Sequence, residues 1–376
     1  MLLTPTRGAP PSSDQPPFFT DPELLIRGTG LSISGLAFNP HAVGTPMPSL
    51  TPSPAQGTPR GDTATQPAAA TPVATASPAP SPTFVGAPAE TPAAAPVPTA
   101  SAAATPTPAV TPATAVDHVF IVVMENHAYD QTRNTSSTPY TTALAIANAV
   151  ATDYWATDNP SLPNYLDLFA GGNYGITSNC NPSASCHIDA PNLADSLDAA
   201  GLTWMGYFED MPSPCYLGDE SGYVAHHNPF IYFDDIRTNA TRCATHVVNY
   251  TALAGDLAAA RTTPTYALIV PNNCHNTHDC SIRTGDTWLS QNLPPILASP
   301  ACTAQRCLVI LTWDEDDGSQ NNHVLTVFAG SAAWAAAASA QKYSHYSLLR
   351  TVEDLLGLSP QTGNDGNASP MSDLLR

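Results

Sequence analysis

Short polar clusters follow the most apolar runs of this chain, and their side chains are of the kinds that bind cations and move protons. The run that ends at Met124 is followed by Glu125 and Asn126, and the run that ends near Trp313 is followed by Asp314 and Glu315. Ligands of open α/β sheets bind beyond the carboxyl ends of parallel strands. We therefore expect one site to form there. Two further runs lead into similar clusters: Glu209-Asp210, and Asn272-Asn273 with His275, His278 and Asp279.

Glu125, Asn126, Asp314 and Glu315 are predicted to bind a divalent metal cation. Their oxygen atoms favour Ca²⁺, Mg²⁺ or Mn²⁺, and the sequence does not distinguish among these. The two pairs are far apart in sequence, so only a shared sheet edge would bring them together. The alternative is that each cluster caps a helix or solvates a loop.

Ser161 is the candidate nucleophile. It lies in Asn159-Pro160-Ser161-Leu162-Pro163-Asn164-Tyr165, which precedes an apparent helix ending at Gly171. A hydroxyl at a helix N-terminus lies where backbone N–H groups favour an anion, and a nearby cation lowers its pKa. The alternative is a simple N-cap.

Histidines are dense in the second half of the chain. A single histidine is more often structural than catalytic, but neutral imidazole suits proton transfer and imidazolium stabilises phosphoryl oxygens. We interpret His345 as supporting structure. The candidates for chemistry are His187, His226, His227, His275, His278 and His323.

The charge of the chain excludes some classes of partner. Its net charge is −19, and residues 117–376 hold 26 Asp and Glu against 9 Lys and Arg. Nucleic-acid binding needs clustered basic residues, and adsorption to an anionic membrane needs a basic surface. We expect no nucleic-acid partner.

Eight cysteines indicate an oxidising compartment. Three close pairs, Cys180–Cys186, Cys274–Cys280 and Cys302–Cys307, are predicted disulfides, and Cys215–Cys243 is the remaining pair. Zinc is the competing interpretation, but these spacings are wider than the usual Cys-x2-Cys.

The N-terminal third differs in composition from the remainder. Residues 1–40 are left unassigned, and residues 41–116, rich in Pro, Ala and Thr, are predicted to be a disordered linker or stalk. No signal peptide and no transmembrane segment is evident. The cysteines and the stalk nevertheless favour a secreted or cell-surface protein. Residues 117–376 are the predicted catalytic domain.

Apolar β-branched runs alternate with helical stretches in that domain. The alternation predicts an α/β fold, a mostly parallel central sheet with helices on both faces. Residues 209–249 and 271–303 are expected to be rich in loops. The predicted strands are 118–124, 202–208, 265–270, 307–313 and 323–329, and the predicted helices are 141–151, 161–170, 191–200, 250–260 and 346–356.

The ordered motifs resemble those of the phosphoesterase family, which includes bacterial non-specific phospholipases C and bacterial and fungal acid phosphatases. Its fold is similar to that of the alkaline phosphatase superfamily. The resemblance covers most of residues 117–360. Many relatives have Arg where Tyr165 stands. The matching segments are Glu125-Asn126-His127-x-Tyr129-Asp130, Pro160 to Tyr165, His227-Asn228-Pro229-Phe230, Pro271-Asn272-Asn273 with His278-Asp279, and Thr312-Trp313-Asp314-Glu315.

The resemblance implies an exported, metal-dependent phosphoric ester hydrolase whose substrate is a small-molecule or lipid phosphate ester. Ser161 would form a phospho-enzyme, His227 and His278 would contact phosphoryl oxygens or protonate the leaving group, and Asn164 and Asp279 would complete the catalytic set. The compact domain favours a phosphomonoesterase similar to acid phosphatases, some of which act on phosphoinositides. A phospholipase C is the alternative, followed by a non-catalytic binding module. A sulfatase is disfavoured because the chain lacks a Cys-x-Pro-x-Arg motif.

Overall fold

Ten strands form in the part of the chain that the structure, a computed structural model, describes: residues 115–376. The predictions for residues 1–40 and for nearly all of residues 41–116 lie outside it. The strands are β1 (His118–Met124), β2 (Ala149–Ala151), β3 (Tyr154–Trp155), β4 (Trp204–Phe208), β5 (Val247–Asn249), β6 (Tyr266–Val270), β7 (Cys307–Trp313), β8 (Thr326–Ala329), β9 (Ala337–Ser339) and β10 (Tyr343–Ser344).

Eight of these strands form one sheet in the order β5-β4-β6-β1-β7-β8-β2-β9. The five strands from β5 to β7 are mutually parallel, whereas β8 runs antiparallel to both β7 and β2. The predicted mostly parallel sheet is confirmed. Strands β3 and β10 form a separate parallel pair.

Both faces of the central sheet are covered. Every residue of β1, β6 and β7 is buried. Because alternate residues of a strand point to opposite faces, a strand buried throughout must be packed on both.

Helices connect the strands, and four of the five predicted helices begin within two residues of the predicted position. The helix of the Ser161 motif starts and ends where it was predicted, at Ser161 and Ala170. The α-helices are α1 (Tyr129–Thr132), α2 (Pro139–Ala147), α3 (Ser161–Ala170), α4 (Leu193–Ala199), α5 (Asp234–Arg237), α6 (Ala240–His246), α7 (Leu253–Asp256), α8 (Ile282–Leu297), α9 (Pro300–Thr303), α10 (His345–Leu356) and α11 (Gly363–Asn367).

Three element predictions were wrong. Residues 149–151 are not helical but form β2, because they pair with β8 and β9 in the sheet. Residues 250–260 form only a short 3-10 turn and α7. Residues 271–303, expected to be loop-rich, contain α8, the longest helix of residues 115–376. Its Pro294 and Pro295 suggest a helix break, but they lie in its last turn.

Four disulfides connect the eight cysteines, and all four predicted pairs are confirmed. Cys274–Cys280 closes a loop after β6, and Cys302–Cys307 joins α9 to the start of β7.

Within residues 115–376, every helix is too short or too polar to cross a bilayer.

Candidate active site

The ends of β1 and β7 bring the predicted acidic residues side by side. The two strands are parallel neighbours in which Met124 is opposite Trp313, so Glu125 and Asp314 leave the sheet at the same edge. Asp314 N donates to Met124 O at 2.9 Å, and Asn126 N donates to Asp314 Oδ1 at 3.2 Å. Asn126 has φ 51°, a left-handed conformation that Asn tolerates better than most residues.

Ser161 is the first residue of α3 and is buried against these carboxyl groups. Its Oγ donates to Glu125 Oε2 at 3.2 Å and lies within hydrogen-bonding reach of Asp314 and Glu315. One backbone N–H of this helix end is already satisfied, because Leu162 N donates to Asn179 Oδ1 at 3.0 Å. The remaining polarity of the helix end still favours an anion there.

Burial raises the pKa of all three carboxyl groups. For Glu125 the rise is large, and the charge of Asp314 adds to it. Burial raises the pKa of Asp314 to about 6. Burial, followed by the charges of Asp314 and Asp316, raises the pKa of Glu315 to about 9. Three carboxylates this close repel one another, and a cation among them would offset that repulsion.

Two oxygen atoms at this edge are buried without a hydrogen-bond partner: Asn126 Oδ1 and Asp314 Oδ2. Buried polar atoms are nearly always satisfied, so these two are suited to a ligand. In residues 115–376 no group of three or more His, Cys, Asp or Glu side chains forms a ready-made metal cluster. The donor set here includes an amide and a hydroxyl as well as carboxylates. The oxygen atoms of these groups fit a hard cation, and two of them, Asn126 Oδ1 and Asp314 Oδ2, have no other partner.

Asn164 braces the loop before Ser161. Its Oδ1 accepts from the backbone N–H groups of Thr157 and Asp158 at 3.1 and 2.8 Å. Its Nδ2 donates to Asp158 O at 2.9 Å and approaches Glu315 Oε2 at 3.3 Å. With both ends engaged, Asn164 is placed to fix the nucleophile loop rather than to contact a substrate.

Tyr165 is a site residue that the sequence reasoning did not identify. It is fully buried, and its hydroxyl donates to Glu125 Oε1 at 2.5 Å. Its ring stacks on His227 at 5.3 Å between centroids. The signal was available, because a residue four positions after Ser161 lies on the same face of a helix.

His227 lies behind the carboxylates and is buried. Its Nε2 is 3.2 Å from Glu125 Oε1, a close contact without hydrogen-bond geometry. Burial lowers the pKa of His227 well below its usual value, and the neighbouring His226 and His278 lower it further. His227 is therefore neutral near pH 7.

The disulfide loop Cys274–Cys280 carries the other histidine of the site. The ring of His278 is 6.1 Å from that of His227, and its Nδ1 is 2.6 Å from Asp279 Oδ1. Both side chains are at least one-third exposed, so they form the rim. Within this loop, Asn276 O accepts from Glu125 N at 2.9 Å, and Thr277 Oγ1 donates to Glu125 O at 2.8 Å. Sequence reasoning missed both residues.

The four less certain histidines are differently placed. His226 packs edge-on against His227 at 4.6 Å, and burial lowers its pKa. His275 points to Glu209, with Nδ1 2.8 Å from Oε2, and His187 pairs in the same way with Asp234. His323 is stacked against Tyr129 and Trp155. Of these four histidines, only His226 contacts His227.

Comparison with known proteins identifies a family match and several relatives of this chain. The Phosphoesterase family model matches residues 131–359. A phosphatidylinositol-3-phosphatase of Mycobacterium tuberculosis is 36% identical over 68% of this chain and 82% of its own length. A probable acid phosphatase of Kluyveromyces lactis is 30% identical over 68% of this chain, and an acid phosphatase of Aspergillus fumigatus is 28% identical over 65%.

The matches span only 62% and 56% of the two fungal proteins. A solved alkaline phosphatase superfamily protein from Vibrio parahaemolyticus aligns with 67% of this chain and 69% of its own, at 13% identity and a TM-score of 0.47. The family match and the named relatives confirm the predicted enzyme class, a phosphoric ester hydrolase. The chain belongs to the Phosphoesterase family.

Proposed function

We propose that this protein is a metal-dependent phosphomonoesterase that uses Ser161 as its nucleophile. The observation that carries the proposal is the position of Ser161 Oγ. It lies at the start of α3, in hydrogen-bond contact with Glu125 and within reach of Asp314 and Glu315. A hydroxyl at this position can attack a phosphorus atom at a helix N-terminus, which stabilises the negative charge of the phosphoryl group.

In this reaction Ser161 Oγ attacks phosphorus as the bond to the alcohol oxygen breaks. The hydroxyl proton passes toward Glu125 Oε2, which already accepts it in a hydrogen bond. The product of the first step is a phosphoserine. Water then attacks its phosphorus and gives up a proton to His278 Nε2, the P–Oγ bond breaks, and Ser161 recovers its proton from Glu125.

His278 is proposed to give a proton to the departing alcohol. Asp279 holds its Nδ1, which leaves Nε2 for the substrate. His227 is neutral near pH 7, so we assign it to hydrogen bonding with phosphoryl oxygens rather than to donation of the proton.

Glu125, Asn126, Asp314 and Glu315 would hold the cation. When bound, a divalent cation there supplies Lewis-acid stabilisation of phosphoryl oxygens and lowers the pKa of the Ser161 hydroxyl. Tyr165 keeps Glu125 in place by its hydrogen bond to Oε1. Asn164 keeps the loop before Ser161 in place.

The names of the relatives favour monoesters. One is named a phosphatidylinositol-3-phosphatase, another a probable acid phosphatase and a third an acid phosphatase. We propose the same class here, with phosphoinositides among the candidates. Four disulfides support action outside the cytoplasm.

Substitution of the nucleophile tests the mechanism. Ser161→Ala should lower kcat on p-nitrophenyl phosphate by at least about a thousandfold, with an unchanged circular dichroism spectrum. Ser299→Ala, at a buried serine before α9, is the matched control and should keep its activity. Near-normal turnover by Ser161→Ala would contradict the assignment.

Chelation tests the metal requirement, and a comparison of two substrates tests the preference for monoesters. Turnover of p-nitrophenyl phosphate should stop with EDTA and return with Mg²⁺, Mn²⁺ or Ca²⁺. Hydrolysis of p-nitrophenylphosphorylcholine instead would identify a phospholipase C. Turnover of neither compound with any of these cations would contradict the proposed function.

A further inference from the structure

A second polar cleft opens where β10 continues into α10. Its volume is about 440 Å³. We call it the Lys342 cleft. Hydroxyl, amide and ammonium groups share the lining with aromatic and aliphatic surface, and these polar groups suit a hydroxylated, negatively charged ligand. Six of the lining residues are Trp155, Lys342, Ser344, Tyr346, Ser347 and Asn364.

The Lys342 cleft adjoins the candidate active site. Strands β3 and β10 are parallel, and the chain after each leads into a helix, α3 at Ser161 and α10 at His345. His345 Nε2 is 2.6 Å from the backbone oxygen of Asp314, so the start of α10 contacts the acidic edge. Asp158 lies close enough to both Glu315 and Tyr346 for its charge to act on each of them.

Lys342 is the only lysine in the chain, and its charge is turned toward an aromatic ring. Its Nζ lies 5.2 Å from the centre of the Trp155 ring, a cation–π contact, and that ring is stacked against His323. Within residues 115–376 Lys342 forms no ion pair with a carboxylate, whereas Arg237, Arg242 and Arg350 each do. Its ammonium group remains available to an anion in the cleft.

We propose that the Lys342 cleft binds the alcohol portion of the substrate and selects phosphate monoesters of polyols that carry a second anionic group. This inference rests on the proposed function. Hydroxyls of the polyol would bond to Ser344, Ser347 and Asn364, while the second anion would pair with Lys342. The domain is strongly acidic, and a lysine beside the site that forms no ion pair with a described carboxylate would attract the second anion of such a substrate.

A matched pair of substrates tests the proposal. D-myo-inositol 1,3-bisphosphate and D-myo-inositol 3-phosphate differ only by the second phosphate. Release of inorganic phosphate should show a kcat/KM about tenfold higher for the bisphosphate, the effect of one charge-assisted hydrogen bond. Lys342→Gln should remove this preference, and Lys342→Arg should keep most of it. Hydrolysis of p-nitrophenyl phosphate, which has no second anion, should change less in either variant than hydrolysis of the bisphosphate does in Lys342→Gln.

Arg237→Gln is the control, because it removes a partly buried cation that pairs with Asp234 outside the Lys342 cleft. It should leave the bisphosphate preference intact. Equal kcat/KM values for the two inositol phosphates in the wild type would overturn the cleft proposal and leave the phosphatase standing. So would a preference that survives Lys342→Gln. Failure to hydrolyse any of the three compounds would overturn the proposed function as well.

Discussion

Glu125 is held through each of its polar atoms. Ser161 donates to Oε2, Tyr165 donates to Oε1, and the backbone groups bond to Asn276 and Thr277. These hydrogen bonds fix the position of a buried carboxyl group whose pKa burial raises. Its position is thus over-determined, which suits a residue proposed to hold a cation beside the nucleophile.

Removal of the Tyr165 hydroxyl should lower activity more than stability. Tyr165→Phe keeps the ring against His227 but loses the hydrogen bond to Glu125, so kcat should fall about 10- to 100-fold. The unfolding free energy should fall by about 1–3 kcal/mol. Tyr207→Phe is the control, since Tyr207 donates to Asp256 in the same way outside the site. Equal activity losses in both variants would contradict a role specific to Tyr165.

The sequence predicted which residues meet, but not how each is used. Glu125, Ser161 and Asp314 converge as expected because strand ends and a helix start are visible in a hydrophobic pattern. Asn164 was counted as catalytic, and only its hydrogen bonds show that it braces a loop. His275 contacts Glu209 and His323 stacks on Trp155, both away from Ser161. The orientation of a histidine ring depends on tertiary neighbours that a sequence pattern does not contain.

Helix α8 packs directly behind the disulfide loop of the site. A Cβ atom added at Gly285 would lie 2.3 Å from Thr277 Cγ2 and 2.9 Å from both His275 O and Met124 Cε. A glycine is needed here because the loop that supports Glu125 passes too close for a side chain. Close packing against helix α8 therefore fixes the position of the Cys274–Cys280 loop relative to the sheet.

Gly285→Ala should displace that loop. We expect a loss of about 1–3 kcal/mol in unfolding free energy from overpacking, together with a lower kcat. Gly255→Ala, in α7, is the control because its added Cβ would meet nothing within 4 Å. Thermal denaturation and p-nitrophenyl phosphate assays measure both effects. Full activity in Gly285→Ala would show that the loop adjusts freely.

Helix α10 buries a carboxyl group away from the site. Burial, followed by the charge of Asp365, raises the pKa of Glu353 to about 8 from an ordinary 4.5. Between these values the unfolded chain loses the proton that the folded protein keeps, so this group makes the protein less stable as pH rises. Its contribution is most favourable below about pH 4.5, the ordinary value.

Glu353→Gln should therefore stabilise the protein most at high pH. Glutamine mimics the protonated acid and still offers a donor toward Asp365 and an acceptor for Gln361 N. The Tm difference from the wild type should widen from pH 4.5 to pH 8. Asp354→Asn, which removes an exposed carboxylate paired with Arg350, serves as the control. A Tm difference that stays constant with pH would contradict the raised pKa.

The elements that are buried along their whole length were the easiest to predict from the sequence. The long strands β1 and β7 were predicted to the residue, since continuous apolar runs are distinctive. Helix α8 was missed because Gly285, Asp286, Pro294 and Pro295 obscure its amphipathic pattern. Strands of two or three residues, such as β3 and β10, exist only through their partners and leave no periodic signal.

Disulfides divide between the site and the remainder of the fold. Cys274–Cys280 encloses the loop that carries Thr277 and His278, whereas Cys302–Cys307 lies at the amino end of β7, opposite the site edge. Removing the first should release the catalytic loop, and removing the second should not.

A double substitution of Cys274 and Cys280 by Ser should lower kcat/KM at least about tenfold at temperatures where the fold persists. The same change at Cys302 and Cys307 should lower Tm with little effect on kcat/KM. Both quantities are measured on the full chain. Equal kcat/KM in the two double variants would show that the disulfide does not organise the loop.

The solitary lysine also makes the Lys342 cleft chemically addressable. An amine-directed acylating reagent has one side-chain target in this chain, Lys342 Nζ. A single mass-labelled peptide would therefore report whether the cleft is open or occupied. Inositol bisphosphate should slow that labelling, while free inositol should not, so occupancy becomes readable by mass spectrometry without any turnover.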